Sequence, residues 1–444
     1  MQQARAAVAS GGGPQGAQEE RQCYEDEELS FIEPVYATRT AMHPAPKHEM
    51  PRRTMPAYMA KALVEDMLQM DFNPRLNLST FLSTWMEAEA QELMVKVAAY
   101  NMADAVQYPS AAEMEKRCIS FLAKLWHCPD DDFVGTGCVG SSEACYLGGL
   151  AMKKKWQQAR RAAGLPIDRP NLVLSHVAQV CWQKFCVYFD VEPHYVDVTH
   201  DCLVMDPQKM KNHIDENTLG VVVMMGSTYN GQYEPVEEVD RALEEIKKEK
   251  GWDIPVHVDA ANAGRGTPGL AGLALACRSR PAAARTSAGN ESCLPPRLVA
   301  PLCQLGVRFD FSLPHVASIN VSGHKYGLVY CGVAFQVWRS RAWLPKDMVL
   351  TVDYLGKEES NLTVNFSRPG AQIVAQYYNF IRFGKAGYRR MFDNLFAVCC
   401  HLAAKLEETG HFEILSTGDV PVLAFRLKPL TTALGLENTY NEYE

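Results

Sequence analysis

The chain has 444 residues, 47% of them hydrophobic and 22% charged, with a formal net charge of -8; that is the composition of a soluble globular protein, long enough for one large domain plus a smaller one, or two to three ordinary domains. The acidic balance excludes nucleic acid or an anionic membrane as the main partner, since either favours a basic face. No apolar run is long enough to span a bilayer, the N-terminus does not read as a secretory leader, and the fourteen cysteines are scattered without a CxxC pair, so a cytoplasmic protein with reduced core thiols is expected, with no disulfides and no metal site.

Residues 1–75 are expected to form an N-terminal arm, partly disordered. Its first 55 or so residues are rich in Ala, Gly, Gln, Pro and charge, with little apolar periodicity. An Ala-rich start with Arg5 and no acid before Glu19 leaves an organelle transit peptide open.

Residues 76–395 carry the regular alternation of a large domain. Gly140, Ser141, Ser142 and Glu143 precede a helical stretch, CYLGGLAMKKKWQQ. Small residues at a helix start offer backbone N–H groups and hydroxyls that suit a phosphate, although an ordinary serine cap reads the same way. NLVLS (171–175) reads as a short buried strand, AQVCWQKFCVYF as helical, and HYVDV as the next strand. LGVVVMMG (219–226) is apolar on both faces and bounded by turn residues, as a central parallel strand should be. VEEVDRALEEIKKEKG then places Val236, Val239, Leu243 and Ile246 on one helical face and closes on Gly251, before the strand-like IPVHVDA. The alternation predicts an α/β domain with a mostly parallel, doubly wound sheet, whose ligands collect at the C-terminal ends of the strands. Asp259 stands at such an end, where capping the next helix is the competing role.

Residues 265–297 break the pattern: five arginines, one acid, no aromatic and no useful periodicity mark an atypical insertion. Beyond it, SINVSGHKYGLVY (318–330) sets Lys325 just past a strand-like run. A desolvated lysine is costly unless it is paired, neutral or covalently used. Residues 396–444 are expected to be the start of a C-terminal small domain, truncated soon after the strand-like PVLAFRL.

These pieces fit one cofactor. Pyridoxal 5'-phosphate needs a phosphate cradle, an acid against its pyridine nitrogen and a lysine for a Schiff base, and the GSSE turn, Asp259 and Lys325 offer all three. Five stretches, NLSTFLSTWMEAEA, GSSEACYLGGLAM, VHVDAA, SINVSGHKYGLVY and VNFSRPGAQIVAQYY, together resemble the glutamate decarboxylases, a group within the group II pyridoxal-phosphate-dependent amino-acid decarboxylases. The likeness covers most of residues 55–428.

The resemblance implies a fold-type I, PLP-dependent transferase-like architecture. It also implies a carbon–carbon lyase (carboxy-lyase) reaction that takes L-glutamate to 4-aminobutyrate and CO2. It makes Lys325 the Schiff-base lysine and Asp259 the acid at the ring nitrogen. Ser141, Ser142, Ser322 and His324 fall near the phosphate, Gln179 against the ring, Thr228 near the cofactor and Ala261 beneath the ring. Phe366 and Ser367 would reach the phosphate of a neighbouring subunit, which makes the active form a homo-oligomer, at least a dimer. Thr80, Phe81, Asn101 and Asp104 would accept the side-chain carboxylate of the substrate. Tyr354 would deliver the proton to the α-carbon.

Three departures from the family pattern accompany the likeness. The interval from Asp259 to Lys325, 66 residues, exceeds the family's, and the surplus coincides with 265–297, which reads as a retained intron or a gene-model error. The C-terminal domain that supplies an arginine for the α-carboxylate is not matched, nor is the calmodulin-binding tail of plant members, so calmodulin is not supported as a partner. Ala99, Tyr100 and Gln107 replace residues that are usually polar or acidic. Two other readings therefore stay open: a different group II amino-acid decarboxylase, or a catalytically impaired pseudoenzyme subunit.

Overall fold

A computed structural model describes residues 46–52, 54–77, 82–129, 132–199, 202–262, 308–354, 357–416, 419–428, 430–431 and 437–438. The insertion at 265–297 and the substrate candidates Thr80 and Phe81 lie outside these residues. The chain divides into two units at Leu78 and Ser79. In the first, helix α1 (Ala57–Leu68) follows Pro56 and buries Met59 and Leu63, four residues apart on one face.

The second unit is built on seven strands: β1 (Val134–Cys138), β2 (Asn171–Ser175), β3 (Glu192–Val196), β4 (Thr218–Met224), β5 (Val256–Asp259), β6 (Val316–Ser322) and β7 (Ala334–Trp338). Their order across the sheet is β1-β7-β6-β5-β4-β2-β3. Strands β2 to β6 run parallel, while β7 lies antiparallel to both β6 and β1. The mostly parallel sheet expected from the sequence is present. Every residue of β4 and β6 is buried, because helices cover both faces of a parallel sheet and no position is left for a polar outward side chain.

Helices α2 (Ala88–Lys96), α3 (Pro109–Leu125), α4 (Ser141–Ala162), α5 (Val180–Tyr188), α6 (Val236–Lys250) and α7 (Ala371–Glu408) pack around it. The period-2 alternation of the strands sorts the core into two layers. Val173, Val221, Val223 and Val258 belong to the cluster that includes residues of α3, α6 and α7, whereas Leu172, Leu174, Val222 and Met224 join Cys145 and Met152 of α4 and Trp182 and Phe185 of α5. Helix α6 buries Val236, Val239, Leu243 and Ile246, carries Glu237 and Glu238 in its first turn and lysines in its last, and ends at Gly251 in the left-handed conformation, φ 75°.

The strand expected at HYVDV sits two residues earlier. Glu192 N–H donates to Pro170 O at 2.9 Å, and the ladder aligns Asn171 with Glu192, so register with β2 sets the limits of this edge strand. Strand β1, VGTGC, carries no apolar signal. Its Gly137 is required by packing: an added Cβ would lie 2.7 Å from Glu115 Oε1. Among the described residues no helix is long and apolar enough to cross a membrane.

Candidate active site

The C-terminal ends of β4, β5 and β6 and the starts of α4 and α5 enclose a cavity of about 300 Å3. Eight residues assigned to the cofactor from the sequence line it: Ser141, Ser142, Gln179, Thr228, Asp259, Ala261, His324 and Lys325. The carboxyl edge of a parallel sheet is where such side chains converge, since each strand ends there in a loop.

Asp259 is 4% exposed and accepts four hydrogen bonds. Trp182 Nε1 donates to Oδ2 at 2.9 Å and Cys145 Sγ to the same oxygen at 3.4 Å; Asn320 Nδ2 donates to Oδ1 at 3.0 Å, as does the Ala261 N–H at 3.1 Å. An acceptor served by donors on both oxygens suits the ionised carboxylate. The bond from Ala261 is a local turn contact, as the capping alternative anticipated, but the other three come from α4, α5 and β6.

Lys325 follows β6 in a tight turn. Ser83 Oγ donates to Lys325 O at 2.9 Å, Ser83 N–H to His324 O at 2.8 Å, and Leu328 N–H to Lys325 O at 3.1 Å. Burial pulls the Lys325 ammonium below its usual range, and the nearby Asp259 charge pulls the other way. A lysine so placed reaches its neutral, nucleophilic form more readily than one in water. His324 donates from Nδ1 to Val333 O at 3.1 Å, and burial lowers its pKa, which favours the neutral ring.

At the start of α4 the cap position is Gly140, in extended conformation and without a side-chain cap bond. Ser141 is thus the first helical residue and not its cap, which leaves the helix start suited to an anion. Glu143, in the first turn, accepts from Val139 N–H at 2.7 Å and from Asn365 N–H at 3.0 Å. Gln179 caps α5, its Oε1 accepting from Cys181 N–H at 2.6 Å.

One buried oxygen on the wall bears on what the cavity accepts, and a second, that of Ser322, lies outside the lining. Asn262, on its wall, donates from Nδ2 to Gly226 O at 2.7 Å, yet its Oδ1 has no partner among the described residues, and neither has Ser322 Oγ. Buried polar atoms seldom go unmatched in a finished site. An acid, a half-buried lysine, an uncapped helix start and an unmatched amide oxygen on one cavity fit a ligand with an anionic end, a polar ring and an aldehyde. Pyridoxal phosphate has all three.

The remaining candidates are placed elsewhere. Asn101 Nδ2 donates to Ser367 Oγ at 3.3 Å, and its Oδ1 accepts from Arg368 N–H at 3.1 Å. Asn101 and Ser367 therefore meet, although neither lines the cavity. Asp104 Oδ1 accepts from Gln107 N–H at 2.9 Å within a local turn, and Phe366 is exposed. Tyr354 ends strand β8 (Leu350–Tyr354), which pairs with β9 (Lys357–Asn361).

Sequence reasoning missed Cys181, Met224, Gly226 and Asn262 on the cavity wall, each within four residues of a candidate it named. It also missed two groups away from the cavity lining, the mostly buried Arg368–Glu115 pair and Glu234. Arg368 Nη1 donates to Glu115 Oε1 at 3.2 Å and to Gly137 O at 2.6 Å, while Gly137 N–H donates to the same Glu115 oxygen at 2.6 Å. Glu234, fully buried, accepts from Met224 N–H at 2.7 Å, from Met205 N–H at 3.1 Å and from the Ser175 hydroxyl, and burial pushes its carboxyl up to about 7.

Donor atoms of Cys145, Cys181 and Asp259 lie within 4.8 Å of one another. Burial pushes the Cys145 thiol well above its ordinary range, so it acts as an S–H donor to Asp259 and not as a thiolate ligand. Every cysteine among the described residues is a free thiol.

Residues 46–268 and 298–428 match the pyridoxal-dependent decarboxylase conserved domain. The stretch between, 269–297, falls inside the interval that the sequence sets apart. The chain is 41% identical over 398 residues to glutamate decarboxylase 5 of Arabidopsis thaliana, which covers 89% of this chain and 74% of that protein. It is 37% identical over 406 residues to a Lactococcus lactis glutamate decarboxylase, covering 90% and 80%. Among solved structures, a Lactobacillus brevis glutamate decarboxylase superposes with a TM-score of 0.78 at 38% identity, over 89% of this chain and 83% of that one. A Burkholderia pseudomallei sphingosine-1-phosphate lyase, 21% identical with a TM-score of 0.68 over 88% and 82%, shares the fold.

Proposed function

The chain belongs to the pyridoxal-dependent decarboxylase family, and we propose that the cavity at the ends of β4, β5 and β6 is where it decarboxylates L-glutamate to 4-aminobutyrate and CO2. The observation that carries this reading is the placement of Asp259, fixed by four donors, on the same cavity as the half-buried Lys325. When bound, pyridoxal phosphate supplies an electron sink for the bond to the α-carboxylate.

The residues of the chain supply the rest. Lys325 is the point of covalent attachment, its amine brought toward neutrality by burial. Ser141, Ser142 and the first-turn N–H groups of α4 hold the phosphate, with His324 and Ser322 beside them. Asp259 keeps a negative charge for the ring nitrogen, Ala261 and Gln179 bound the ring, and Thr228 closes the wall. Walls assembled from so many elements fix orientation, and orientation decides which bond breaks.

Glutamate as the substrate rests on the relatives, which are glutamate decarboxylases at 37% to 41% identity. Thr80, Phe81, Asn101 and Asp104 as its carboxylate pocket, and Tyr354 as the proton donor, belong to the proposal on the likeness of their sequence stretches. So do a homo-oligomer, supported by the NFSRP likeness and the exposure of Phe366, a cytoplasmic location, and the division into arm, large domain and small domain.

A second reading, an assembled but inactive subunit, draws on residues 265–297 between Asp259 and Lys325. One experiment separates the two. Purified protein is incubated with pyridoxal phosphate and glutamate while 4-aminobutyrate is followed, alongside a form lacking 265–297 and the Lys325→Ala variant, and borohydride is used to trap bound cofactor for peptide mapping. Turnover together with an adduct on Lys325 supports the decarboxylase. Assembly with neither turnover nor adduct in both the full and shortened forms overturns it.

A further inference from the structure

The parallel ladder between β5 and β6 aligns His257 with Ser318 and Asp259 with Asn320. Residues two apart on a strand share a face, so these four side chains lie on one side of the sheet. All are buried: His257 and Asn320 are 0% exposed, and Ser318 is 1%. His257 Nδ1 lies 2.7 Å from Ser318 Oγ, His257 Nε2 lies 2.8 Å from Asn320 Oδ1, and Asn320 Nδ2 lies 3.0 Å from Asp259 Oδ1. The reading of Asp259 as the partner of the cofactor ring nitrogen makes no use of the first three of these residues.

The chain of bonds has one direction. A carboxylate only accepts, so Asn320 must turn its NH2 toward Asp259, which leaves its carbonyl oxygen facing His257. That oxygen needs a donor, which places the imidazole proton on Nε2, and the bare Nδ1 then accepts from the Ser318 hydroxyl. Burial lowers the His257 pKa to about 4, so the ring stays neutral with a single proton to place. It also has no room to turn. Trp182 stacks edge-on at 5.1 Å, and α4 approaches so closely that a Cβ added at Gly148 would lie 2.4 Å from His257 Cε1.

We propose that Asn320 and His257 are positioning residues, which hold the Asp259 carboxylate in one orientation so that it faces the cofactor ring nitrogen. The inference rests on the proposed decarboxylase site and adds the groups that tune its acid. Neither residue touches the cavity, and they act through Asp259 alone.

The test compares two ligands of the full-length protein: pyridoxal phosphate and its 1-deaza analogue, in which C–H replaces the ring nitrogen. Apparent dissociation constants for both are measured on wild type, Asn320→Leu and His257→Leu, with apoprotein melting followed for each. Wild type should prefer pyridoxal phosphate. Asn320→Leu should reduce that preference about ten- to a hundredfold, the range for a hydrogen bond to a charged group, with binding of the analogue unchanged. His257→Leu replaces a buried ring with an apolar side chain of similar size and keeps the test in hand where Asn320→Leu does not fold; it should reduce the preference by about two- to tenfold. Equal weakening of both ligands indicates a merely structural role and overturns the proposal, as does an unchanged preference. A wild type that does not distinguish the two ligands defeats instead the reading of Asp259 itself.

Discussion

Glu234 ties stability to pH. Its carboxyl is fully buried and is pushed up to about 7 by loss of hydration, against an ordinary value near 4.5. Between those two values the folded chain binds a proton that the unfolded chain has released, so stability falls as pH rises through the window. A displacement of that size corresponds to about 3 kcal/mol at full development. The protonated acid keeps its partners, because it can donate to the Ser175 hydroxyl while still accepting from Met205 and Met224. Glu234→Gln removes the titration and introduces a fixed penalty, since its NH2 must face one of those N–H groups. That penalty does not depend on pH and cancels in a double difference. Equilibrium urea unfolding of apoprotein, wild type against Glu234→Gln, should show wild type gaining about 2.5 kcal/mol relative to the variant on going from pH 8 to pH 5. Equal pH dependence in the two proteins, or a gain in the opposite direction, refutes the reasoning.

Three further outcomes follow from buried contacts. Arg368→Met leaves the mostly buried Glu115 without its cation and should cost about 3 to 5 kcal/mol in urea unfolding, with much of it recovered when Glu115→Gln is added. Gly148→Ala drives a methyl into His257, and its overpacking should cost about 1 to 3 kcal/mol by the same assay. Ser83→Ala removes the hydroxyl bond to Lys325 O; a loss of about 0.5 to 1.5 kcal/mol is expected, together with faster borohydride trapping or release of cofactor as the lysine turn loosens.

The central strands were legible because a parallel sheet covered on both faces leaves uninterrupted apolar runs: β2 falls on NLVLS, and β4 is nearly coextensive with LGVVVMMG. Helix α6 was equally plain, since its apolar spacing, charge gradient and terminal glycine all agree. Strand β1 was not, because Gly135 and Gly137 replace the side chains that would have announced it. Of the eight cavity residues named from the sequence, Ser141, Ser142, Asp259 and Lys325 were legible at strand and helix ends, while Gln179, Thr228, Ala261 and His324 came from the family resemblance. The long-range pairs were not: Arg368 meets Glu115 across 253 positions, and the Asn320 relay exists only once β5 and β6 are in register. Burial of a histidine or an asparagine on a strand has no local signature until its neighbour across the ladder is known.

The β5–β6 ladder joins two adjacent strands whose connecting chain, residues 260–315, contains the whole of 265–297. The entropy lost in tying the ends of a connection together grows only with the logarithm of its length, so lengthening this one weakens the sheet by on the order of 1 kcal/mol. A gene can therefore acquire sequence at this junction with little thermodynamic resistance from the scaffold, and selection at this spot is left to chemistry and not to folding.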